Sequence, residues 1–256
     1  MTNKSETNSA EINLSIKIYI IVSFVIIYIL LFEFVLTPIK FIPKPSLLFD
    51  SFISLWETYK LAIPLFATTS VIYLMLLFGS LVVTFLSKYF LKIIYEYPGI
   101  LNFNIPFKYL SAFFFALVFN LWFSDSLIAE FIFAFFVVIG FLISFLRAGA
   151  KNPNEAYIAS SRSIGLSNNE IYSKVIWKDL QPAVFKGLKK IHVILWSIIL
   201  IYEFVGQTEG LGSVYFAAYT YNDIGAVIAL GILVSLLIIF GNFVINFLIK
   251  KIIFWE

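Results

Sequence analysis

Cysteine is absent from this 256-residue chain, and both charge and histidine are scarce. Without cysteine the chain can form no disulfide, no thiolate metal site and no cysteine nucleophile. Charged residues make up 13% of the sequence and apolar residues 61%, a balance that excludes a soluble globular domain. The single histidine, His192, has no paired acid at a recognisable spacing, so no Ser/His/Asp arrangement is indicated. We therefore expect no catalysis by this chain.

Two further signatures are missing. The sequence has no Gly-x4-Gly-Lys-Ser/Thr phosphate loop, so it cannot bind and hydrolyse ATP by that route. It also has no His/Cys/Asp/Glu cluster with the spacing of metal ligands, and we expect neither a metal nor a cofactor. An ATP-driven function would need a separate ATPase subunit.

Long apolar runs are what the chain has in quantity. About 20 apolar residues in a helix cross roughly 30 Å of hydrocarbon, and the bilayer offers their backbone groups no water. The sequence therefore predicts an all-α, polytopic membrane protein. A disordered cytoplasmic tail is expected over residues 1–13, followed by a single domain over residues 14–256. The six predicted transmembrane helices are Leu14–Leu36, Leu61–Ser87, Tyr109–Phe123, Leu127–Leu146, Ile191–Val205 and Ile224–Ile249.

Lysine and arginine are distributed unevenly around these runs. With the N-terminus inside, the outer segments hold only Lys40, Lys44 and Lys60, and the inner segments hold the other fifteen of the 18 basic residues. Basic residues favour the cytoplasmic side of a membrane, so both termini are predicted to be cytoplasmic. The net charge of +3 then reflects this topology and contact with a lipid bilayer, not nucleic-acid binding.

The connection after the first run contains a candidate amphipathic helix. Ser46 is a candidate helix cap, and the apolar side chains that follow it recur on one helical face. We predict a helix over Leu47–Tyr59 that lies on the outer membrane surface. Its apolar face would consist of Leu48, Phe52, Leu55, Trp56 and Tyr59.

One polar segment, Arg147–Lys190, interrupts the apolar sequence and holds 8 of the 18 basic residues. Asn152 is a good N-cap and Pro153 suits the first helical position, so a helix is predicted from Pro153 to a turn at Gly165. The basic asymmetry places this segment, residues 147–190, in the cytoplasm.

A second helix is predicted within the same segment. Ser167 and Glu170 have the spacing of a capping box at its start, and Gln181-Pro182 is expected to stop it. A long solvated loop is the alternative interpretation. Two capped helices around a glycine turn favour a docking element for a cytoplasmic partner.

This segment resembles the cytoplasmic coupling loop of ABC importer permeases, in particular the sulfonate/taurine/nitrate-type branch of the binding-protein-dependent permeases. Ala159 stands where that motif has its glutamate, which leaves Glu155, one turn earlier, as the carboxylate on that face. The matching positions in the loop are Arg162, Gly165, Leu166, Ser167, Val175-Ile176, Pro182 and Gly187-Leu188-Lys189. Outside the loop, Glu203, Gly210-Leu211-Gly212 and Phe41–Ser46 resemble further elements of the branch.

The resemblance implies a six-helix permease of the type I importer kind in the bacterial cytoplasmic (inner) membrane. It implies three partners: an ABC ATP-binding subunit, an extracytoplasmic solute-binding protein, and a second permease copy, by default in a homodimer. The solute would be small, either sulfonate-, taurine- or nitrate-like or a vitamin precursor. The residues it implies for ATPase coupling are Glu155, Ala156, Ala159, Ser160, Arg162, Ser163, Gly165, Leu166, Ser167 and Pro182.

Ionisable and amide side chains within the spans are further candidates, because polar groups at membrane depth are costly and often functional. Glu33, Glu130 and Glu203 lie near outer ends of spans, where interfacial or structural roles and lining of the outer mouth are both open. The candidates for the pathway are Glu130, Glu203 and Asn120. His192 is expected to be interfacial rather than a proton relay. Asn120, Asn242 and Asn246 are expected to hydrogen-bond between helices rather than contact the substrate.

Two other functional classes are compatible with an apolar helical chain. A membrane enzyme acting on lipid substrates would place several acids near one membrane face for metal and phosphate chemistry, whereas the acids here are scattered. A secondary transporter would have inverted repeats and interrupted helices with midplane charges. Neither pattern is clear in this sequence.

Overall fold

The computed structural model describes residues 16, 19–20, 22–35, 43–97, 112–123, 127–151 and 155–253. The predicted tail over residues 1–13, the predicted cap Asn152 and Pro153 lie outside these residues. The described part is helical and contains no strand. Its helices, in chain order, are α1 (Val22–Val35, ending in a π-helix over Leu30–Val35), α2 (Pro45–Glu57), α3 (Ala62–Glu96), α4 (Ala112–Trp122), α5 (Leu127–Ala150), α6 (Glu155–Ser163), α7 (Trp177–Gly206), α8 (Leu211–Thr220) and α9 (Ile224–Ile252).

The helices divide between two compact units. The smaller unit comprises Met1–Tyr59 and Ala218–Gly231, and the larger comprises Lys60–Ala217 and Ile232–Glu256. The prediction of a single domain over residues 14–256 stays a prediction.

The core of the larger unit follows from four-residue spacing in the sequence. Every fourth side chain along α5 is buried, which places one continuous stripe of the helix against its neighbours. That stripe consists of Glu130, Ala134, Val138, Leu142, Leu146 and Ala150. The helices α3, α5 and α7 pack on one another, and α4 packs on α7. Gly79 of α3 lies so close to Val138 that a Cβ there would be 2.6 Å from Cγ1, so this glycine permits close helix contact.

The opposite faces of these helices expose large apolar side chains. Phe85 of α3 is 77% exposed and Phe136 of α5 is 63% exposed. Three helices in the described part are long and apolar enough to cross a membrane: Ala62–Glu96, Leu127–Ala150 and Ile224–Ile252. Shorter apolar helices occur at Val22–Val35 and Phe113–Trp122. Exposed apolar faces on helices of this length suit contact with lipid rather than water.

In the smaller unit, the predicted role of Ser46 as the helix cap is wrong. Helix α2 begins at Pro45 with Lys44 as the N-cap residue, and Ser46 already lies within the helix. The Ser46 N–H and Oγ both donate to the Glu33 carboxylate, at 3.1 and 3.0 Å. Pro45 suits the first helical position because it has no N–H to leave unsatisfied, and a carboxylate from another helix caps the start instead. Leu55 is fully buried, whereas Trp56, which was predicted on the same face, is 52% exposed.

The predicted helix stop at Gln181-Pro182 is wrong. Pro182 lies inside α7, which runs without a break from Trp177 to Gly206 and follows directly on a π-helix over Ile171–Ile176. A proline within a helix removes one backbone hydrogen bond and crowds the carbonyl four residues earlier. Here Trp177, Leu180 and Val184 are buried on one face, and the packing of that face stabilises the helix across the proline.

Candidate functional site

A glycine-rich turn joins α7 to α8, and the buried carboxylate of Glu203 holds it. Oε2 of Glu203 accepts a hydrogen bond from the Gly212 N–H at 2.7 Å, and Oε1 accepts one from Thr68 Oγ1 at 2.6 Å. Thr68 Oγ1 in turn accepts from the Leu211 N–H at 2.8 Å. The first amides of a helix have no partner within it. Glu203 and Thr68 supply those partners and fasten the start of α8 to α7 and α3.

Two glycines permit this close approach. A Cβ at Gly210 would collide with the carboxyl group of Glu203, and a Cβ at Gly212 would collide with the backbone carbonyl of Leu200. Gln207 ends α7 in the left-handed conformation, with φ at 52°, which turns the chain back toward the helix it has just left. The Gly210-Leu211-Gly212 segment therefore brings the first backbone amides of α8 onto a buried acid.

Glu130, in the first turn of α5, completes an acidic pair with Glu203. Both side chains are fully buried, on the faces of α5 and α7 where Phe133 stacks on Tyr202. Oε2 of Glu130 accepts a long hydrogen bond of 3.4 Å from Thr208 Oγ1. Its Oε1 has no donor within reach.

Asn120 joins the same cluster from α4. Its Nδ2 donates to the backbone carbonyls of Ala116 at 3.0 Å and of Tyr202 at 3.3 Å, and its side chain lies directly against Gly206. The Tyr202 ring is buried and stacks on Phe133 with the centroids 4.8 Å apart. The structure thus brings Asn120, Glu130 and Glu203 together in one buried polar cluster, and their role in a pathway stays a prediction.

The prediction that His192 is interfacial is wrong. The side chain is fully buried and bonds through Nδ1 to Asn242 Oδ1 at 3.1 Å and through Nε2 to the Tyr73 hydroxyl at 3.3 Å. Trp196 Nε1 also donates to Nε2, at 2.9 Å. A buried imidazole needs such partners. The partners on α3 and α9 lie far from His192 in the chain, so the residues next to His192 could not predict them.

The predicted hydrogen bonds of Asn120, Asn242 and Asn246 between helices are confirmed. Asn242 of α9 reaches His192 of α7, and Asn246 Oδ1 accepts from Lys189 Nζ at 3.2 Å. Thr68 and Thr208, by contrast, were not singled out from the sequence. A threonine in an apolar run carries little signal, since most such hydroxyls bond to the carbonyl of the preceding turn.

The polar segment between α5 and α7 contains α6 and the predicted turn at Gly165, after which a second helical segment begins at Asn168 and continues into α7. Gly165 follows α6 with φ at 83°, and the N–H groups of Gly165 and Leu166 donate to Arg162 and Ser161 carbonyls at 3.0 and 3.1 Å. These are the two bonds of a Schellman ending. The capping box of Ser167 and Glu170 is confirmed as well, with both reciprocal hydrogen bonds formed.

Most residues predicted for ATPase coupling are exposed on this segment. Glu155 is the first residue of α6, Leu166 is half-buried, and Pro182 is half-buried within α7. The exposed ones are Ala156, Ala159, Ser160, Arg162, Ser163, Gly165 and Ser167. Sequence reasoning missed two large apolar side chains beside them: Tyr157 is 55% exposed and Ile164 is 74% exposed. The two residues are seven positions apart, which is two helical turns, and this spacing could have indicated that both lie on one face of a helix.

Acidification is expected to leave Glu170 ionised down to about pH 2. The hydrogen bond from Lys174, at 3.0 Å, and then those from Ser167 lower the pKa of its carboxyl to about 2. Since the folded pKa lies below the ordinary value of 4.5, the stabilisation is complete above that value and is lost as the pH falls toward 2. The carboxyl 13C resonance of labelled Glu170 would give the midpoint.

The matched control for this titration is a neighbouring lysine. Lys174→Ala should move the midpoint up toward the ordinary value, whereas Lys178→Ala, whose ammonium bonds to Gln181 Oε1 at 3.3 Å, should leave it unchanged. A wild-type midpoint near the ordinary value would contradict the assigned hydrogen bonds.

Across the described residues, no three His, Cys, Asp or Glu side chains come together as a metal site would require. Helices of membrane-crossing length with lipid-suited outer faces define an integral membrane protein. The family model of the binding-protein-dependent transport system inner membrane component matches residues 12–254, and the chain belongs to this family. The protein is therefore a permease component of an ABC transport system in the inner membrane, and the family implies an ATPase and a binding protein as partners. No curated protein and no solved structure gave a significant match to the chain.

Proposed function

We propose that this chain is the translocation subunit of an ABC importer, with six transmembrane helices and both termini in the cytoplasm. A second copy of the chain would complete the pathway. The resemblance to the sulfonate/taurine/nitrate-type branch favours a small solute of that kind or a vitamin precursor. Uptake assays with a sulfonate, taurine, nitrate and a pyrimidine vitamin precursor would separate these solutes.

The observation that carries the proposal is the exposed apolar pair, Tyr157 and Ile164, on an otherwise polar segment. Large apolar side chains exposed to water on a rigid element are typical of a binding surface. The Schellman turn and the capping box hold the segment in one conformation. Binding would therefore cost little further conformational entropy. We infer that α6 and the turn after it bind the ATPase subunit.

The uninterrupted helix after this segment supports a route for coupling. Helix α6 packs on the π-helix Ile171–Ile176, which packs on α3 and continues directly into α7. With 30 residues, α7 is ~45 Å long, which exceeds the ~30 Å hydrocarbon thickness. It therefore extends beyond the bilayer. A displacement of α6 by ATPase closure would be carried along α7 to the Glu203 cluster near its other end.

Co-purification with the ATPase tests this surface. The tagged full-length chain, extracted from its host membranes in mild detergent, is expected to retain an ATPase activity. Ile164→Asp should reduce the retained activity at least about tenfold, since a charge placed in an apolar contact costs more than ~1.4 kcal/mol.

Tyr221→Asp is the matched control, because Tyr221 is 77% exposed and lies in the connection between α8 and α9. It should retain the wild-type ratio of ATPase to permease. Wild-type retention by a folded Ile164→Asp chain would overturn the docking surface. Failure of the wild-type chain to retain any ATPase would overturn the importer assignment itself.

A further inference from the structure

The buried acids Glu130 and Glu203 carry an inference that goes beyond the importer function. Both side chains have no exposed surface, and Glu130 bonds to Thr208 in the same turn that Glu203 fastens through Gly212. Two ionised carboxylates in one buried cluster would place like charges together in a medium that solvates neither. Some compensation for the second charge is required.

The described groups that the structure places against the pair are polar and uncharged. The groups that face the pair are the Thr68 hydroxyl from α3, Thr208 from the turn, and Tyr202 from α7, whose hydroxyl is buried and has no hydrogen-bond partner. The ion pairs of Lys92 with Glu96 and of Lys174 with Glu170 involve neither acid. A proton shared between the two carboxyl groups would relieve this repulsion.

The pattern of hydrogen bonds indicates which acid carries that proton. Both oxygens of Glu203 accept short bonds, from Thr68 at 2.6 Å and from the Gly212 N–H at 2.7 Å, as an ionised carboxylate does. Glu130 receives only the 3.4 Å bond from Thr208, and its Oε1 is buried without a donor. A carboxyl group with few donors around it is suited to be the protonated partner, because it can then donate.

We propose that Glu130 and Glu203 bind a single proton between them, with Glu130 as the neutral acid that donates to the Glu203 carboxylate. The bound proton joins α5 to α7 and leaves Glu203 free to hold Gly212 and Thr68. Loss of the proton would set two buried charges against each other at the point where the glycine turn is fastened. The proton is thus a structural ligand of this cluster.

Infrared spectroscopy of the full-length protein in lipid vesicles tests the proposal directly. At neutral pH the wild-type chain should have a carboxylic-acid C=O stretching band that shifts in D2O. Glu130→Gln should lose this band, whereas Glu33→Gln should retain it, because Glu33 accepts hydrogen bonds from exposed Ser46. Absence of the band from the wild type, or its persistence in Glu130→Gln, would overturn the proposal.

Thermal unfolding provides a second, independent measurement. A glutamine at 130 keeps a donor toward Glu203, so Glu130→Gln should stay within about 2 °C of the wild-type Tm, on a scale of roughly 2–4 °C per kcal/mol for a chain of this size. Glu203→Gln should lower Tm by at least about 6 °C, because an amide NH2 cannot accept from both Gly212 and Thr68. A Glu130→Gln chain that fails to fold would overturn the proposal. A wild-type chain that reaches its full Tm only with added sodium or potassium would also overturn it, since a cation would then be the ligand.

Discussion

Replacing Gly212 with alanine is expected to lower the free energy of unfolding by roughly 3 kcal/mol. The new methyl group would lie 2.6 Å from the backbone nitrogen of Phe204 and would also collide with the carbonyl oxygen of Leu200. Both atoms belong to the backbone of α7, which cannot rotate away as a side chain can. The start of α8 would have to move, and the Glu203 bond to the Gly212 N–H would lengthen. Thermal unfolding of the purified chain in detergent would measure the loss.

Gly140 offers a matched control for this substitution. It also lies within a helix, α5, and a Cβ there would meet nothing within 4 Å. Gly140→Ala should therefore leave stability unchanged or raise it by roughly 0.5–1 kcal/mol, since alanine favours a helix over glycine. Equal effects of the two substitutions would contradict the close approach of α8 to α7.

The second large effect is expected from Thr68→Val, which removes one hydroxyl and keeps the shape of the side chain. Thr68 Oγ1 donates to Oε1 of Glu203 and accepts from the Leu211 N–H, so its loss leaves one oxygen of a buried acid and one buried amide without this partner. An unsatisfied buried group costs roughly 1–3 kcal/mol, and more when it is charged. We expect the variant to lose roughly 3 kcal/mol of stability, measured by the same unfolding experiment.

The adjacent threonine gives the control for Thr68. Thr69 Oγ1 bonds only to carbonyls of its own helix, Leu65 at 2.7 Å and Phe66 at 3.1 Å. Those carbonyls belong to the helix ladder, so Thr69→Val should change stability by no more than about 0.5 kcal/mol. If both valine variants unfold at the same temperature, the Glu203 cluster does not stabilise the turn.

Features encoded over a few neighbouring residues were predicted well from the sequence. The capping box needs only Ser167 and Glu170, and the turn at Gly165 needs one residue without a Cβ. The apolar runs gave helices in the expected places, with α5 starting at Leu127 and α9 at Ile224 as predicted. The caps and the turn each depend on residues within about one helical turn, and each apolar run is a property of one continuous stretch of sequence.

Predictions that depended on distant neighbours were less successful. Pro182 was expected to end a helix on local grounds, but the buried face around Trp177 and Val184 keeps α7 intact. His192 lies beside Lys189 and Lys190 in the sequence and was expected at the interface. Its partners Tyr73 and Asn242, which are 119 and 50 residues away, bury it instead.

The sequence by itself determined that this is a helical membrane protein with a capped polar segment, because composition, apolar run length and helix caps are local properties of the chain. Only the tertiary structure decided that Glu130 and Glu203 meet, that Thr68 joins them, and that Gly212 must be a glycine. Those residues lie on separate helices, and their interaction depends on how the helices pack. Packing arises from contacts between residues far apart in the chain, which no local pattern encodes.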